Sequence, residues 1–188
     1  MSTFLLNVKR PWMEKLRHFN REELLKVDEA VKVSEELVNN YFKMSSGQWL
    51  KNRYEIKTGK DLTPHEVVDG PFAQVIKYEG RKKDVPLGSS SFSLYNVCLQ
   101  DNAILLIVEK MALLLEPFLL YILIHELVHI VRFSKFKQRY ENKNEADVTL
   151  EEERKVHQLT HDILKPVSVF GLKQVFEFYK DWLSVPGS

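Results

Sequence analysis

The hydrophobic positions near the start of the chain recur with a helical period. From Leu24 to Tyr41 they return every three or four residues, and this run follows an Asn20-x-x-Glu23 capping pattern. This pattern predicts an amphipathic helix over about 21–44.

The same spacing, together with capping residues and prolines, predicts further helices. Residues 49–56 are interpreted as a short helix. Thr63-Pro64-His65-Glu66 starts another of only a turn or two, because Gly70-Pro71 follows it. Later helices are predicted over about 117–133, from Asp147 or Thr149 to Leu164, where Pro166 ends the helix, and over 170–183.

Three runs rich in β-branched and aromatic residues predict strands. The first covers 72–78 and is followed by an exposed connection over 81–90. The others, 91–99 and 103–108, flank a turn-forming Gln-Asp-Asn segment, so an antiparallel hairpin is predicted there.

Length and composition favour one compact domain. The chain has 188 residues, of which 44% are hydrophobic, enough for a substantial core. We therefore predict a helix-rich α+β fold in which a small mixed or antiparallel sheet packs on the 117–133 helix. Within 1–188 this gives a helical N-terminal part (1–70), a core (72–166) and a C-terminal helix (168–188).

Charge and hydropathy exclude several function classes. Lys and Arg number 27 against 26 Asp and Glu, so no strong field favours nucleic acid. The apolar stretch 111–131 approaches membrane-spanning length, but it contains Glu116, His125, Glu126 and His129, which are costly in lipid. With no secretory signal at the N-terminus, we expect a soluble cytoplasmic protein that binds neither membrane nor nucleic acid.

One cysteine limits the metal chemistry available to the chain. A lone thiol excludes an intrachain disulfide and any zinc site with several cysteines. Cys98 is predicted to be a small buried hydrophobe rather than a ligand that masks a metal. Any metal must therefore use histidines and carboxylates.

His125-Glu126-Leu127-Val128-His129 is the most specific signal in the sequence. Histidines four apart on a helix face the same side, so both imidazoles can reach one zinc ion. The intervening Glu126 is placed to act as general base toward a water molecule on that zinc. We expect one zinc ion per chain, bound by His125 and His129.

A catalytic zinc needs a third protein ligand. The metzincin pattern is excluded, because it needs glycine and histidine where this chain has Arg132 and Lys135. The remaining candidates are Glu145, Glu151, Glu152, Glu153, His157 and His161. Helical phase favours Glu153, which lies in the middle of the apolar face of its helix, where an unpaired carboxylate would be costly. Glu145 and His157 remain alternatives.

The motif, followed 24 residues later by Glu153, resembles the gluzincins, whose third ligand is a glutamate on a separate helix. The stretch from Glu153 to Pro166 also resembles the corresponding helix of ImmA/IrrE-like cytoplasmic zinc peptidases. Two positions depart from that family: Val156 replaces a small residue, and His157 replaces an Asp or Asn. The resemblance implies a minimal zincin-like fold and the hydrolysis of peptide bonds.

The predicted function is that of a zinc-dependent peptidase. Zinc would lower the pKa of its bound water, and Glu126 would take the proton and return it to the leaving amine. A peptide or protein substrate would pair as an extended strand with an edge at 91–99 or 103–108. The candidate oxyanion stabilisers are Tyr121, Tyr140, His157 and His161.

Two other functions are weighed against hydrolysis. The same fold could bind zinc without catalysis, as a sensor or protein-interaction domain. A ferritin-like di-metal protein would also contain a Glu-x-x-His pair such as Glu126 and His129. However, Glu153 and His157 have the wrong spacing for a second such pair.

Overall fold

The computed structural model describes residues 16–45, 47–48, 52–81, 91–135 and 145–183. The described strands are β1 (Asn52–Lys57), β2 (Ala73–Arg81) and β3 (Ser91–Leu99), with a 3-10 turn at Pro64–Glu66. The described helices are α1 (Arg21–Phe42), α2 (Asp101–Lys110), α3 (Leu115–Lys135), α4 (Glu145–Leu164), α5 (Leu172–Phe178) and α6 (Lys180–Leu183). The predicted helix-rich α+β class is confirmed.

The sheet is mixed and has three strands in the order β1-β3-β2. β3 pairs in parallel with β1 and antiparallel with β2, with Tyr54 opposite Tyr95 and Val75 opposite Val97. One face of β3 is buried through Tyr95, Val97 and Leu99. β1 and β2 are the edges of the sheet within the described residues.

The predicted hairpin is wrong, because 103–108 belongs to helix α2. A short apolar run does not distinguish a strand from a helix by composition alone. Here Asp101, in the first turn of α2, accepts hydrogen bonds from the backbone amides of Phe19 (2.9 Å) and Gly59 (2.8 Å). Because β3 is central and 103–108 is helical, the expected substrate-binding edge at either segment is also wrong.

The predicted short helix at 49–56 is wrong as well. The described part of this segment forms β1, in which Tyr54 and Ile56 pack against the core while Arg53 and Glu55 are exposed. This alternation has the period of a strand. The N-terminal part over 1–70 is therefore not wholly helical.

Two capping patterns are confirmed. Asn20 and Glu23 form a capping box at the start of α1, with hydrogen bonds of 2.8 and 2.9 Å. Thr63 and Glu66 do the same at the 3-10 turn. The predicted strand over 72–78 is also confirmed as β2.

Helix α3 is the centre of the core. It begins two residues before Pro117, and it is buried from Phe118 to Val131. It packs against α1, α4 and the sheet. Among the described residues, Leu115–Ser134 is the one helical stretch long and apolar enough to cross a membrane, and most of it is buried within the molecule.

The C-terminal helices differ in detail from the prediction. α4 begins at Glu145, so Asp147 and Thr149 lie inside the helix rather than at its cap. It ends at Leu164 as predicted. The single helix expected over 170–183 is two short helices, α5 and α6, interrupted at Tyr179.

Candidate metal centre

Helix α3 presents its two motif histidines on the side that faces α4. The four-residue spacing brings the rings one above the other, with the two Nε2 atoms 3.1 Å apart. Both side chains are buried. The cost of burying two imidazoles requires polar partners at the same point.

Glu153 of α4 supplies that partner. Its carboxylate oxygens lie 3.3 Å from His125 Nε2 and 3.1 Å from His129 Nε2. The residues of α4 on the same side are buried, as the helical phase predicts: Val156, His157, Thr160, Ile163 and Leu164. The structure therefore brings together the three residues predicted as ligands.

The neighbouring carboxylates on α4 have other positions. Glu152 forms a two-pronged ion pair with Arg132 of α3, with Nη2 2.7 Å from Oε2. Glu151 is exposed. The side chain of Glu145 lies outside the described part of the structure. Among the described carboxylates of α4, Glu153 alone contacts the motif histidines.

His157 lies beside the same site, one turn further along α4. Its Nδ1 is 2.9 Å from the Tyr121 hydroxyl, and its ring centroid is 4.3 Å from that of His125. The possible ligand atoms of His125, Glu153 and His157 all lie within 4.8 Å of one another, so this group could hold a metal ion. His125 and Glu153 thus belong to two possible sets of three metal ligands. His129 completes one set, at the shorter distances, and His157 completes the other.

The electrostatics keep the carboxylate ionised between the imidazoles. Burial acts to raise the pKa of Glu153, but hydrogen bonds with His125 and His129 outweigh it and hold that pKa well below its usual range. Burial acts to lower the pKa of His129, yet the hydrogen bond to Glu153 raises it overall. Burial, with the nearby His125, lowers the pKa of His157 to about 3, so its imidazole is neutral.

Glu126 is buried at the edge of the same site. Burial raises its pKa, and the neighbouring His125 and His129 only partly oppose this effect. Its side chain lines a cavity of about 580 Å³ that also contains His125, His129, Glu153 and His157. A carboxyl group with a raised pKa beside possible metal ligands is suited to proton transfer.

Aromatic side chains from the end of the chain form one wall of this cavity. Tyr179 stacks on Tyr121 with ring centroids 4.1 Å apart, and Trp182 stacks on His157 at 4.7 Å. Tyr179 and Trp182 were not predicted as site residues from the sequence. Helical periodicity shows that they lie on an apolar face, but it contains no signal for their contacts with Tyr121 and His157 on earlier helices.

Other candidates from the sequence lie elsewhere. His161 packs on Phe176, with ring centroids 4.4 Å apart, and does not line the cavity. Tyr140 lies outside the described residues. Cys98 is fully buried as predicted and does not line the cavity, and burial raises the pKa of its thiol to about 11.

The second ring nitrogen of each motif histidine, Nδ1, lacks among the described residues the partner that a metal-binding histidine usually has. Nδ1 of His125 and Nδ1 of His129 are buried and have no hydrogen-bond partner among the described residues. Metal-binding histidines usually donate this second N–H to a carboxylate, carbonyl or water. The ImmA/IrrE-like pattern has an Asp or Asn where this chain has His157, whose Nδ1 is bonded to Tyr121 instead.

Comparison with known proteins does not identify a family. No protein-family model matches the chain, and neither a curated protein nor a solved structure matches it.

Proposed function

We propose that this protein is a zinc-dependent metallopeptidase of the gluzincin type, in which His125, His129 and Glu153 hold one zinc ion. The observation that carries the proposal is the spacing of the ligand groups: the two Nε2 atoms are 3.1 Å apart, and each lies 3.1–3.3 Å from one oxygen of the Glu153 carboxylate. Ligands at the roughly 2.0–2.1 Å bond length of a tetrahedral zinc stand about 3.3 Å apart. Two imidazoles and one carboxylate are also a known ligand set of catalytic zinc.

The proposed reaction is hydrolysis of a peptide bond. A bound zinc ion supplies Lewis-acid chemistry toward water and the scissile carbonyl. Glu126, in the same cavity, accepts the proton of the attacking water and returns it to the leaving amine. Its pKa, which burial raises, suits it to take up a proton and to release it again.

The substrate in this proposal is a peptide or protein segment that pairs with β2. Residues 70–75, which are the first three residues of β2 and the three before them, line the cavity, so the start of this edge strand borders it. An extended peptide can add to such an edge as a further strand. Apolar side chains around it, including Phe72, Val75 and Ile122, favour an apolar substrate residue.

Of the candidate oxyanion stabilisers, Tyr121 is the one that we assign to this role, and it lines the cavity. Burial raises the pKa of the Tyr121 hydroxyl, which keeps it protonated as a donor. A donor held in a buried site contributes most to such stabilisation.

A soluble cytoplasmic location belongs to the same proposal. The apolar helix over Leu115–Ser134 is mostly buried in the core, and the net charge of +1 gives no general attraction to anionic surfaces.

The first prediction concerns Glu126→Gln. We expect this variant to bind zinc like the wild type and to lose roughly 10²–10⁴-fold in hydrolysis, because the amide cannot accept the proton. Zinc content and cleavage of a mixed peptide library, followed by mass spectrometry, measure both effects. Glu116→Gln is the matched control, since Glu116 is an exposed residue of the same helix. Cleavage by Glu126→Gln at the wild-type rate would contradict the assignment of the base.

A second candidate function is a catalytically silent zinc-binding sensor or protein-interaction domain. The observation that favours it is His157, which offers a further donor beside the three proposed ligands. Zinc sites with four protein ligands are usually structural. One bound zinc without any peptide cleavage by the wild type would support this function.

A further inference from the structure

His157 is a buried polar residue that the proposed hydrolysis does not require as a ligand. It is 6% exposed and lies one helical turn from Glu153. We propose that His157 is a displaceable fourth ligand of the same metal ion, so that the resting centre is closed to water and substrate. This inference deepens the proposed function and rests on it for the identity of the metal.

The first support is the distance from His157 to the other ligands. Its possible ligand atom lies within 4.8 Å of those of His125 and Glu153. The edge of a zinc tetrahedron is about 3.3 Å. His157 is therefore at most about 1.5 Å too far from these two residues to share one tetrahedral ion with them.

The second support is the partner of Nδ1. The Tyr121 hydroxyl lies 2.9 Å from this atom, which leaves Nε2 as the other ring nitrogen. If Nδ1 donates its proton to the tyrosine oxygen, Nε2 carries the lone pair that a metal requires. Histidines that bind metals are normally oriented in this way through their second nitrogen. His125 and His129 lack such a partner in the described structure, whereas His157 has one.

The third support is the enclosure of the imidazole. Trp182 stacks on His157 with an interplanar angle of 25°, and Tyr179 lies behind it with ring centroids 5.2 Å apart. Trp182 is 38% exposed and lines the cavity. A peptide that enters the cavity contacts Trp182 and can disturb the stacking that holds His157 in place. This would couple substrate binding to the opening of a coordination position.

Metal affinity provides the first test. We expect His157→Gln and His157→Ala to weaken zinc binding by at least about tenfold in competition with a chromophoric chelator, since even an outer-shell partner is worth roughly 10–100-fold. His161→Ala is the matched control, because His161 lies one turn further along α4 and outside the cavity. The His157→Gln variant keeps most of the side-chain volume, and circular dichroism confirms that each variant is folded.

Access to the metal provides a test that also works on the wild type alone. In the cobalt-substituted protein, azide should leave the visible spectrum unchanged if four side chains occupy the metal. In the cobalt-substituted His157→Gln variant, azide should shift the spectrum, because one position is then open. Azide binding to the wild-type cobalt protein, or unchanged zinc affinity in the folded His157 variants, would overturn the closed centre.

Hydrolysis is measured separately at saturating zinc. A closed resting centre predicts that His157→Gln cleaves peptides faster per bound zinc than the wild type does. If no variant cleaves any peptide, the proposed peptidase function fails, while the zinc and azide results still decide whether His157 is a ligand.

Discussion

The carboxylate of Glu153 contacts both motif histidines. The side chain is 33% exposed, so water reaches it from the cavity while the helices cover the rest. One oxygen faces each imidazole, at 3.3 and 3.1 Å. Two Nε2 atoms 3.1 Å apart need a proton on one of them, as in an N–H···N hydrogen bond, or a cation between them.

The second prediction compares two neighbouring glutamates. Glu153→Gln should weaken zinc binding by roughly 10–100-fold or more, because a direct ligand matters at least as much as an outer-shell partner. Glu152→Gln should keep the zinc affinity but lower the stability of the metal-free protein by about 1–3 kcal/mol, because it breaks the ion pair with Arg132. Chelator competition and thermal unfolding measure the two effects. Equal zinc affinity in both variants would rule out Glu153 as a ligand.

Individual residues of the centre were predictable where the signal is local. The spacing of His125 and His129 and the phase of Glu153 follow from the helical period alone. The same phase places His157 next to Glu153, which made it an alternative ligand. Tyr179 and Trp182 approach the centre only through the packing of α5 and α6, and nothing in the local pattern encodes that packing.

Two elements, α2 and β1, show why local sequence patterns predicted the wrong secondary structure. In α2 the apolar residues are consecutive, so a strand and a helix fit the sequence equally well. The hydrogen bonds that Asp101 accepts from Phe19 and Gly59 connect α2 to segments far away in sequence. In β1, the alternation at 53–56 was present, but Leu50 and Tyr54 also fit a helix. Pairing with β3 is a long-range interaction that decides between them.

The third prediction concerns Glu66, whose side chain connects the 3-10 turn to the sheet. Glu66 is buried, and its carboxylate accepts hydrogen bonds from the Thr63 amide (2.8 Å), Lys57 Nζ (3.0 Å) and Asn96 Nδ2 (3.1 Å). The Thr63 amide and then Lys57 hold the pKa of Glu66 well below its usual range. The ionised group therefore stabilises the fold above the unfolded-state pKa of about 4.3, and this contribution is lost as pH falls below it.

Thermal unfolding from pH 7 to pH 3 tests this prediction. Glu66→Gln should unfold at a lower temperature than the wild type at pH 7, and the difference should shrink as the pH decreases. Glu55→Gln, at an exposed position of β1, is the control and should follow the wild type. A difference that stays constant across the pH range would contradict the role of the ionised carboxylate.

The fourth prediction concerns the turn before α5, which positions the aromatic wall. Gly171 has a φ of 87°, and a Cβ there would lie 2.8 Å from Leu114 Cδ1. Gly171→Ala should cost about 1–3 kcal/mol from backbone strain, with the clash adding to it. Gly70 has a φ of 105° with nothing within 4 Å of a Cβ, so Gly70→Ala isolates the strain. Equal losses of melting temperature in the two variants would show that contact with Leu114 does not matter.

At the scale of the whole molecule, α3 organises both the core and the centre. α1, α4 and the sheet pack around it, and the proposed ligands come only from α3 and α4. β2 and the C-terminal helices then close the cavity from two sides. A metal bound by both helices would therefore crosslink the two elements across the centre of the fold.

The fifth prediction follows from this crosslink. A ligand that binds only the folded state stabilises it by about 2.7 kcal/mol at a free concentration 100 times the dissociation constant. For a protein of this size each kcal/mol raises the melting temperature by roughly 2–4 °C, so saturating zinc should raise it by roughly 5–10 °C over the chelator-treated protein. Differential scanning calorimetry with zinc, magnesium or EDTA measures the shift.

The zinc-dependent shift in two variants distinguishes residues that bind zinc from the proposed general base. Glu126→Gln should show the full zinc-dependent shift because Glu126 is not a proposed ligand, whereas His129→Ala should lose most of it. Magnesium should have little effect, since it prefers an octahedral shell of oxygen ligands to imidazole nitrogens. If zinc does not raise the melting temperature of the wild type, the convergence of His125, His129 and Glu153 is a hydrogen-bonded core cluster, and no metal-dependent function can be based on it.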